Sequence, residues 1–182
     1  MLQDYAGTYP NAILRYKANY MVLYVDSNVA YLTIPEARSC YEGHFYQSDW
    51  PSPIPIKPNP EINSPIHTER KKIRNVVSSS VEAETCGTFN KRKTSISMRP
   101  ALIALEHKKP ATPLKTDNYT TCGFENLGMK PKRLKTWDMK WHWLRDKEAL
   151  DQLRVYWNKG TNNDSDYYTN RYPPIHHRQM RP

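Results

Sequence analysis

Long apolar runs and paired cysteines are both missing from this 182-residue sequence. No apolar run approaches the roughly 20 residues that a membrane-spanning helix needs. Only three cysteines occur, Cys40, Cys86 and Cys122, and no two of them form a CxxC pair. This spacing supports neither a disulfide framework nor a zinc ribbon, so we expect reduced thiols. The N-terminus also lacks the charged-then-apolar pattern of a signal peptide. We therefore expect an intracellular protein without membrane association.

Acidic residues are scarce relative to basic ones. The sequence has 27 Lys and Arg against 18 Asp and Glu, which gives a net charge of +9 and an isoelectric point near 9.4. An excess of this size favours polyanionic partners, because binding them releases condensed counterions. Apolar residues make up 38% and aromatic residues 12%, enough for one domain with a core.

Proline is unevenly distributed along the chain. Residues 50–66 contain six of the 15 prolines, which excludes a helix or a central strand there. We predict a leader over 1–19, a domain over 20–170 with an exposed Pro-rich loop over 50–70, and a basic tail over 171–182. Apolar patterns predict strands over 20–27, 43–47, 71–77, 112–116 and 152–157. Helices are predicted over 78–89, 99–109, a short stretch to about 127, and 135–150. This order predicts an α/β fold around a mixed sheet.

Acidic residues follow three of the predicted strands or lie beside them. Asp26 ends the first strand, Asp117 ends the fourth, and Asp166 lies in the loop after the last, whereas Glu84 lies on the first helix. Asp117 either caps the following helix or holds a ligand at the edge of the sheet. Four converging carboxylates would need a cation, and oxygen ligands suit Mg²⁺. Two such ions about 4 Å apart would clamp a phosphodiester during hydrolysis. The residues therefore predict a two-Mg²⁺ site, which Mn²⁺ could also occupy.

An ordered series of motifs covers nearly the whole chain and resembles the ribonuclease H-like domain at the end of copia-type retrotransposon polyproteins. The resemblance implies a ribonuclease H-like fold, with three antiparallel strands followed by parallel strands in a sheet flanked by helices. It also implies cleavage of the RNA strand in RNA·DNA hybrids, reverse transcriptase and integrase as polyprotein partners, and a cytoplasmic or virus-like-particle location. The matching segments are "MVLYVDSNVAYL", "ARSCYEGHFYQS", "VVSSSVEAET", "PATPLKTDNYTTCG", the block over 131–174 and "HHRQMRP".

The resemblance carries over to individual positions. Asp117 matches the strand-end aspartate, Asp166 the aspartate before the last helix, and Glu84 the helical glutamate. At the first acidic position the alignment places Asn28, with Asp26 two residues earlier on the same face of a strand. Either Asp26 fills this position or the site lacks one carboxylate. The second possibility is a decayed module that binds nucleic acid without cleaving it.

A basic run precedes the helix predicted over 135–150. It consists of Lys130, Lys132, Arg133 and Lys135. Beside an RNA·DNA hybrid, these side chains would contact phosphates without reading the base sequence. The alternative is a solvated loop.

Overall fold

Five strands form one mixed sheet with helices packed against it. The computed structural model describes residues 7, 10–11, 13–49, 60–107, 110–126, 135–159 and 175, without the side chains of 124–126, 135–139 and 141. Strands β1 to β5 span Val22–Ile34, Arg38–Ser48, Pro65–Lys72, Thr112–Thr116 and Leu153–Trp157. Helices α1 to α3 span Ser80–Ala104, Tyr119–Asn126 and Lys135–Ala149.

The strand order in the sheet is β3-β2-β1-β4-β5. Strands β1, β2 and β3 pair antiparallel, whereas β4 runs parallel to both β1 and β5. Three antiparallel strands followed by parallel ones is the predicted arrangement, and the α/β class is confirmed. The crossovers place the carboxyl ends of β4 and β5 at one edge of the sheet.

Helix α1 corrects the prediction of two separate helices over 78–89 and 99–109. It is one continuous helix of 25 residues, with Pro100 in its last turns. Its start follows the sequence signal, because Ser79 accepts a hydrogen bond from the Glu82 N–H and Glu82 Oε2 accepts one from the Ser78 N–H. The polar stretch in its middle is helical because Lys91, Arg92 and other polar residues there are buried against the sheet.

The strand predicted over 71–77 is wrong for most of its length, because β3 ends at Lys72 and overlaps the prediction only at residues 71–72. Pro65 starts β3, and an edge strand tolerates proline at that position because no ladder hydrogen bond is lost. The end of the predicted Pro-rich loop is therefore strand. Residues 50–59 of that loop and all of the tail except residue 175 lie outside the described residues, so these parts of the domain plan stay a prediction.

Apolar side chains at alternate positions of the strands form the core between α1 and the sheet. Leu23 and Val25 of β1 pack with Leu102 of α1 and Leu114 of β4. Gly87 brings α1 close to the sheet, since a Cβ at this position would lie 2.4 Å from Val29 Cγ2 and 3.1 Å from Tyr41 Cβ. Glycine is unfavourable inside a helix, but this close approach of α1 to the sheet requires it.

The end of the predicted leader is attached to the segment before β3. The Lys17 N–H donates to Asn63 Oδ1 at 3.0 Å, and Asn63 Nδ2 donates to the Lys17 carbonyl at 2.9 Å. Tyr16 Oη donates to the Pro65 carbonyl nearby. No helix among the described residues combines the length and apolar character needed to cross a membrane.

Candidate functional site

A buried lysine lies between α1 and strand β1. The Lys91 side chain projects from α1 towards the sheet and is fully buried. Its Nζ donates to Ser27 Oγ at 2.5 Å and to the Asn28 carbonyl at 2.9 Å. Burial lowers the pKa of this ammonium to about 8, and the charges of nearby carboxylates oppose that shift.

The carboxylates that act on Lys91 come from four different elements or their ends. In decreasing order of effect they are Glu84, Glu69, Asp117 and Glu42. Two of them have a second cation, because Lys71 Nζ lies 2.8 Å from Glu69 Oε2 and Arg70 Nε lies 2.8 Å from Glu42 Oε1. The structure thus brings the predicted site residues Glu84 and Asp117 into the electrostatic range of one ammonium.

Asp117 does not cap α2. The cap is its neighbour Asn118, whose Oδ1 accepts a hydrogen bond from the Thr121 N–H at 3.0 Å. The Asp117 carbonyl accepts from Trp157 Nε1 at 2.8 Å, which ties the end of β4 to the end of β5. Burial raises the pKa of the Asp117 carboxyl, and its own backbone N–H and Lys91 act in the opposite direction. Of the two interpretations of this residue, the structure excludes capping.

Asp26 points to the other face of the sheet. Successive side chains of a strand alternate between faces, and Ser27 is the one that reaches Lys91 of α1. Asp26 is completely buried, with Lys115 Nζ 2.8 Å from its Oδ2 and Tyr46 Oη 3.5 Å from its Oδ1. The structure therefore does not bring Asp26 together with Glu84.

Asn28 contributes its backbone rather than its side chain to the Lys91 environment. Its carbonyl accepts from Lys91, while its Oδ1 accepts from the Val29 N–H at 2.8 Å. By strand alternation its side chain lies on the same face as Asp26. Of the three residues Asp26, Ser27 and Asn28, only Ser27 presents a side chain to α1.

Several predicted site residues cannot be placed. Asp166, Lys130, Lys132 and Arg133 lie outside the described residues, and Lys135 starts α3 without a described side chain. Their roles stay predictions.

The described part of this region does not fit a divalent ion. The Lys91 ammonium already occupies the α1 face of β1, where the charges of Glu84 and Asp117 act on it, and Asp26 is held on the opposite face by Lys115. Within the described ranges, no group of three or more His, Cys, Asp or Glu side chains could hold a metal. A doubly charged ion beside Lys91 would be repelled at short range.

A basic groove of about 540 Å³ lies on another side of α1. Cys86 lies at this groove and is about 200° around the helix from Glu84. Five cationic residues line it, and none of its described lining residues is a carboxylate. These cationic residues are Lys71, Lys72, Arg74, Lys93 and Lys140.

Aromatic rings support one wall of this basic groove. Lys93 Nζ and Lys140 Nζ lie 6.0 and 5.6 Å from the centroid of the Phe89 ring. The Phe89 ring in turn packs edge-on against the Trp143 ring, with their centroids 5.1 Å apart. These contacts position the two ammonium groups through cation–π attraction.

Sequence reasoning missed both Lys91 and the basic groove. Lys91 lies in the polar run "NKRKTS", between the two helices predicted over 78–89 and 99–109. The only signal for burial was its spacing of seven from Glu84, which places both on one side of a helix. The groove combines residues of β3, α1 and α3 that are far apart in sequence, so no local pattern could predict it.

Comparisons with known proteins identify the fold. No protein-family model matches the chain, and no curated protein matches it either. Among solved structures, LC11-RNase H1, isolated from compost by a metagenomic approach, superimposes with a TM-score of 0.55 at 9% identity, covering 80% of this chain and 90% of that one.

Two further structures match over similar lengths. LC11-RNase H1 in complex with an RNA/DNA hybrid gives a TM-score of 0.54 at 8% identity, over 80% of this chain and 91% of that one. An N-terminal RNase H domain from Mycobacterium tuberculosis gives 0.51 at 10% identity, over 79% and 86%. The chain therefore has a ribonuclease H-like fold.

Proposed function

We propose that this chain is the ribonuclease H-like domain of a copia-type retrotransposon polyprotein and that it binds RNA·DNA hybrids through their phosphate backbones. The ordered motif series supports the retroelement origin, with reverse transcriptase and integrase as polyprotein partners. The fold, shared with an RNase H1 whose structure contains an RNA/DNA hybrid, supports this class of ligand. The observation that carries the proposal is the basic groove, with five cationic residues and no carboxylate among its described lining residues.

The composition of the basic groove suits phosphates rather than bases. Lysine ammonium groups act as point charges that attract phosphate oxygens without reading sequence. An A-form-like duplex is recognised mainly by shape and backbone contacts. The side chains of Lys71 and Lys72 are 60% and 47% exposed, so they can reach a ligand even though each also pairs with a glutamate. The basic run of Lys130, Lys132, Arg133 and Lys135 is proposed as a second backbone contact.

Neutralising Lys93 and Lys140, the two lysines beside Phe89, should weaken hybrid binding and reduce its salt dependence. In the double variant Lys93→Gln/Lys140→Gln, the slope of log affinity against log salt should become shallower by up to about 2 units, because each lost phosphate contact removes about 0.9. Fluorescence anisotropy of a labelled hybrid, titrated at several salt concentrations, measures this slope.

A matched control distinguishes the loss of groove contacts from the loss of net charge. Lys17→Gln/Arg154→Gln removes the same two charges from exposed positions that do not line the groove. Its slope should stay close to that of the parent. Equal losses in both variants, or no loss in the groove variant, would assign hybrid binding to another surface.

Cleavage of the RNA strand is the second candidate function. The observation that favours it is the location of Glu84 and Asp117, whose charges act on the same buried group. Under this candidate, catalysis would rest on Glu84, Asp117 and Asp166, with Asp26 or Asn28 at the first position. The ammonium of Lys91 and the ion pair of Asp26 argue against it, so binding without cleavage is the better-supported function.

An end-labelled hybrid incubated with the purified chain decides between these two functions. With Mg²⁺ or Mn²⁺ present, we expect no more RNA cleavage by the parent than by Asp117→Asn, checked by circular dichroism to be folded. Cleavage by the parent that disappears in Asp117→Asn would establish the nuclease instead. Gel resolution of the RNA fragments is the readout.

A further inference from the structure

We propose that the Lys91 ammonium is the resident cation of this acidic site and takes the place that a divalent ion would otherwise need. The geometry supports this directly, because Nζ is fully buried and donates to both Ser27 Oγ and the Asn28 carbonyl at the strand below. A cation tethered to α1 is present at the site without any bound ligand, whereas a metal would neutralise the carboxylates only when bound.

The charges around Lys91 support its role as the cation of this site. Glu69 is shared with Lys71 and Glu42 with Arg70, so those two carboxylates have cations of their own. Glu84 has the largest effect on Lys91, followed by Glu69 and then Asp117. A buried ammonium without compensating carboxylates would be strongly unfavourable. Lys91 and these acids therefore depend on each other.

Neutralising Glu84 should change the Tm in opposite directions for a site with a resident ammonium and for an empty metal site. Carboxylates that await a metal repel one another, so Glu84→Gln would stabilise the metal-free protein. Carboxylates that compensate a buried ammonium attract it, so the same change should destabilise the protein. We expect Glu84→Gln to lower the Tm in EDTA by about 5 °C or more.

An exposed glutamate outside the cluster is the control for this measurement. Glu106→Gln removes one charge at an exposed position just after α1 and should leave the Tm nearly unchanged. A higher Tm for Glu84→Gln than for the parent would overturn the assignment of Lys91.

Metal binding gives a second readout that needs no nucleic acid, so its outcome is separate from that of the proposed function. The parent should show no Tm change when MnCl₂ is added. Lys91→Met removes the ammonium while keeping a long side chain, so the carboxylates around it lose their compensating charge and the Tm should fall. Adding Glu84→Gln to Lys91→Met should then raise the Tm, because it removes one of the carboxylates left without a cation, whereas the same change lowers the Tm of the parent.

Lys17→Met, at an exposed lysine far from the cluster along the chain, is the control and should behave like the parent. A Mn²⁺-dependent Tm rise in the parent, or a further fall in Tm when Glu84→Gln is added to Lys91→Met, would contradict the proposal. If Lys91→Met does not fold, the parent titration and the sign of the Glu84→Gln effect still decide.

Discussion

Replacing Asp26 by Asn should lower the free energy of unfolding by about 3–5 kcal/mol, because it leaves a buried cation without its partner. Lys115 Nζ lies 2.8 Å from Asp26 Oδ2, and the two side chains are only 7% and 0% exposed. Burial also raises the pKa of the neighbouring Tyr156 hydroxyl, with the Asp26 charge as a further cause. Urea unfolding followed by circular dichroism measures the loss.

The partner variants test whether the ion pair itself is responsible. Lys115→Met should also destabilise the protein, since it leaves the Asp26 carboxylate buried alone. The double variant Asp26→Asn/Lys115→Met removes both charges and should be more stable than either single variant. As a control, Glu61→Gln disrupts the exposed pair with Lys17 and should cost at most about 1 kcal/mol. Additive losses in the double variant would show that the two residues do not interact.

This first prediction also affects how activity data are interpreted. A ribonuclease assay on Asp26→Asn alone would show a loss whether Asp26 binds a metal or only holds the sheet together. Stability and activity therefore have to be measured on the same preparation. An Asp26→Asn protein with unchanged stability would mean that this carboxylate is available for a role at the site.

Stability should fall as the pH rises from about 4.5 to 7, because of Glu42. Burial raises the pKa of its carboxyl from 4.5 to about 7, while Arg70 and Lys91 partly offset this effect. The native state thus holds its proton more tightly than the unfolded state, so protonation favours folding. The contribution is fully present below pH 4.5 and is lost through pH 7, by up to about 3 kcal/mol.

Glu42→Gln removes this titration and should flatten the pH dependence by the same amount. At pH 8 the variant should be at least as stable as the parent, because Arg70 is 60% exposed and can turn to solvent. Other half-buried acids, including Asp117 and Glu148, also have a raised pKa, so the difference in stability between the two proteins is the relevant quantity. Glu36→Gln, at an exposed position, is the control. If the free energy of unfolding changes with pH in the same way for the parent and Glu42→Gln, Glu42 is not the cause of the pH dependence.

Much of the sheet was predictable from local patterns. Strand β4 coincides with the predicted 112–116, and β5 and α3 differ from prediction by one residue. These segments have strong apolar or helical patterns that depend on near neighbours only. Strand β3 and the continuous α1 were harder, because an edge position accommodates Pro65 and the sheet covers the polar middle of the helix. Local propensity carries no information about such coverage.

The sequence by itself determined the α/β class, the basic net charge, the carboxylate at the end of β4 and the glutamate on the first helix, whereas it wrongly placed Asp26 at a strand end, since β1 continues to Ile34. Periodicity and composition are sufficient for these properties. Only the tertiary structure decided which side chains meet. It turned Asp26 towards Lys115, brought Lys91 of α1 against Ser27 of β1, and assembled the basic groove from β2, β3, α1, α3 and the segment after β3. The physical reason is that a one-residue difference along a strand reverses the face of a side chain, and buried charges then select their partners across the fold.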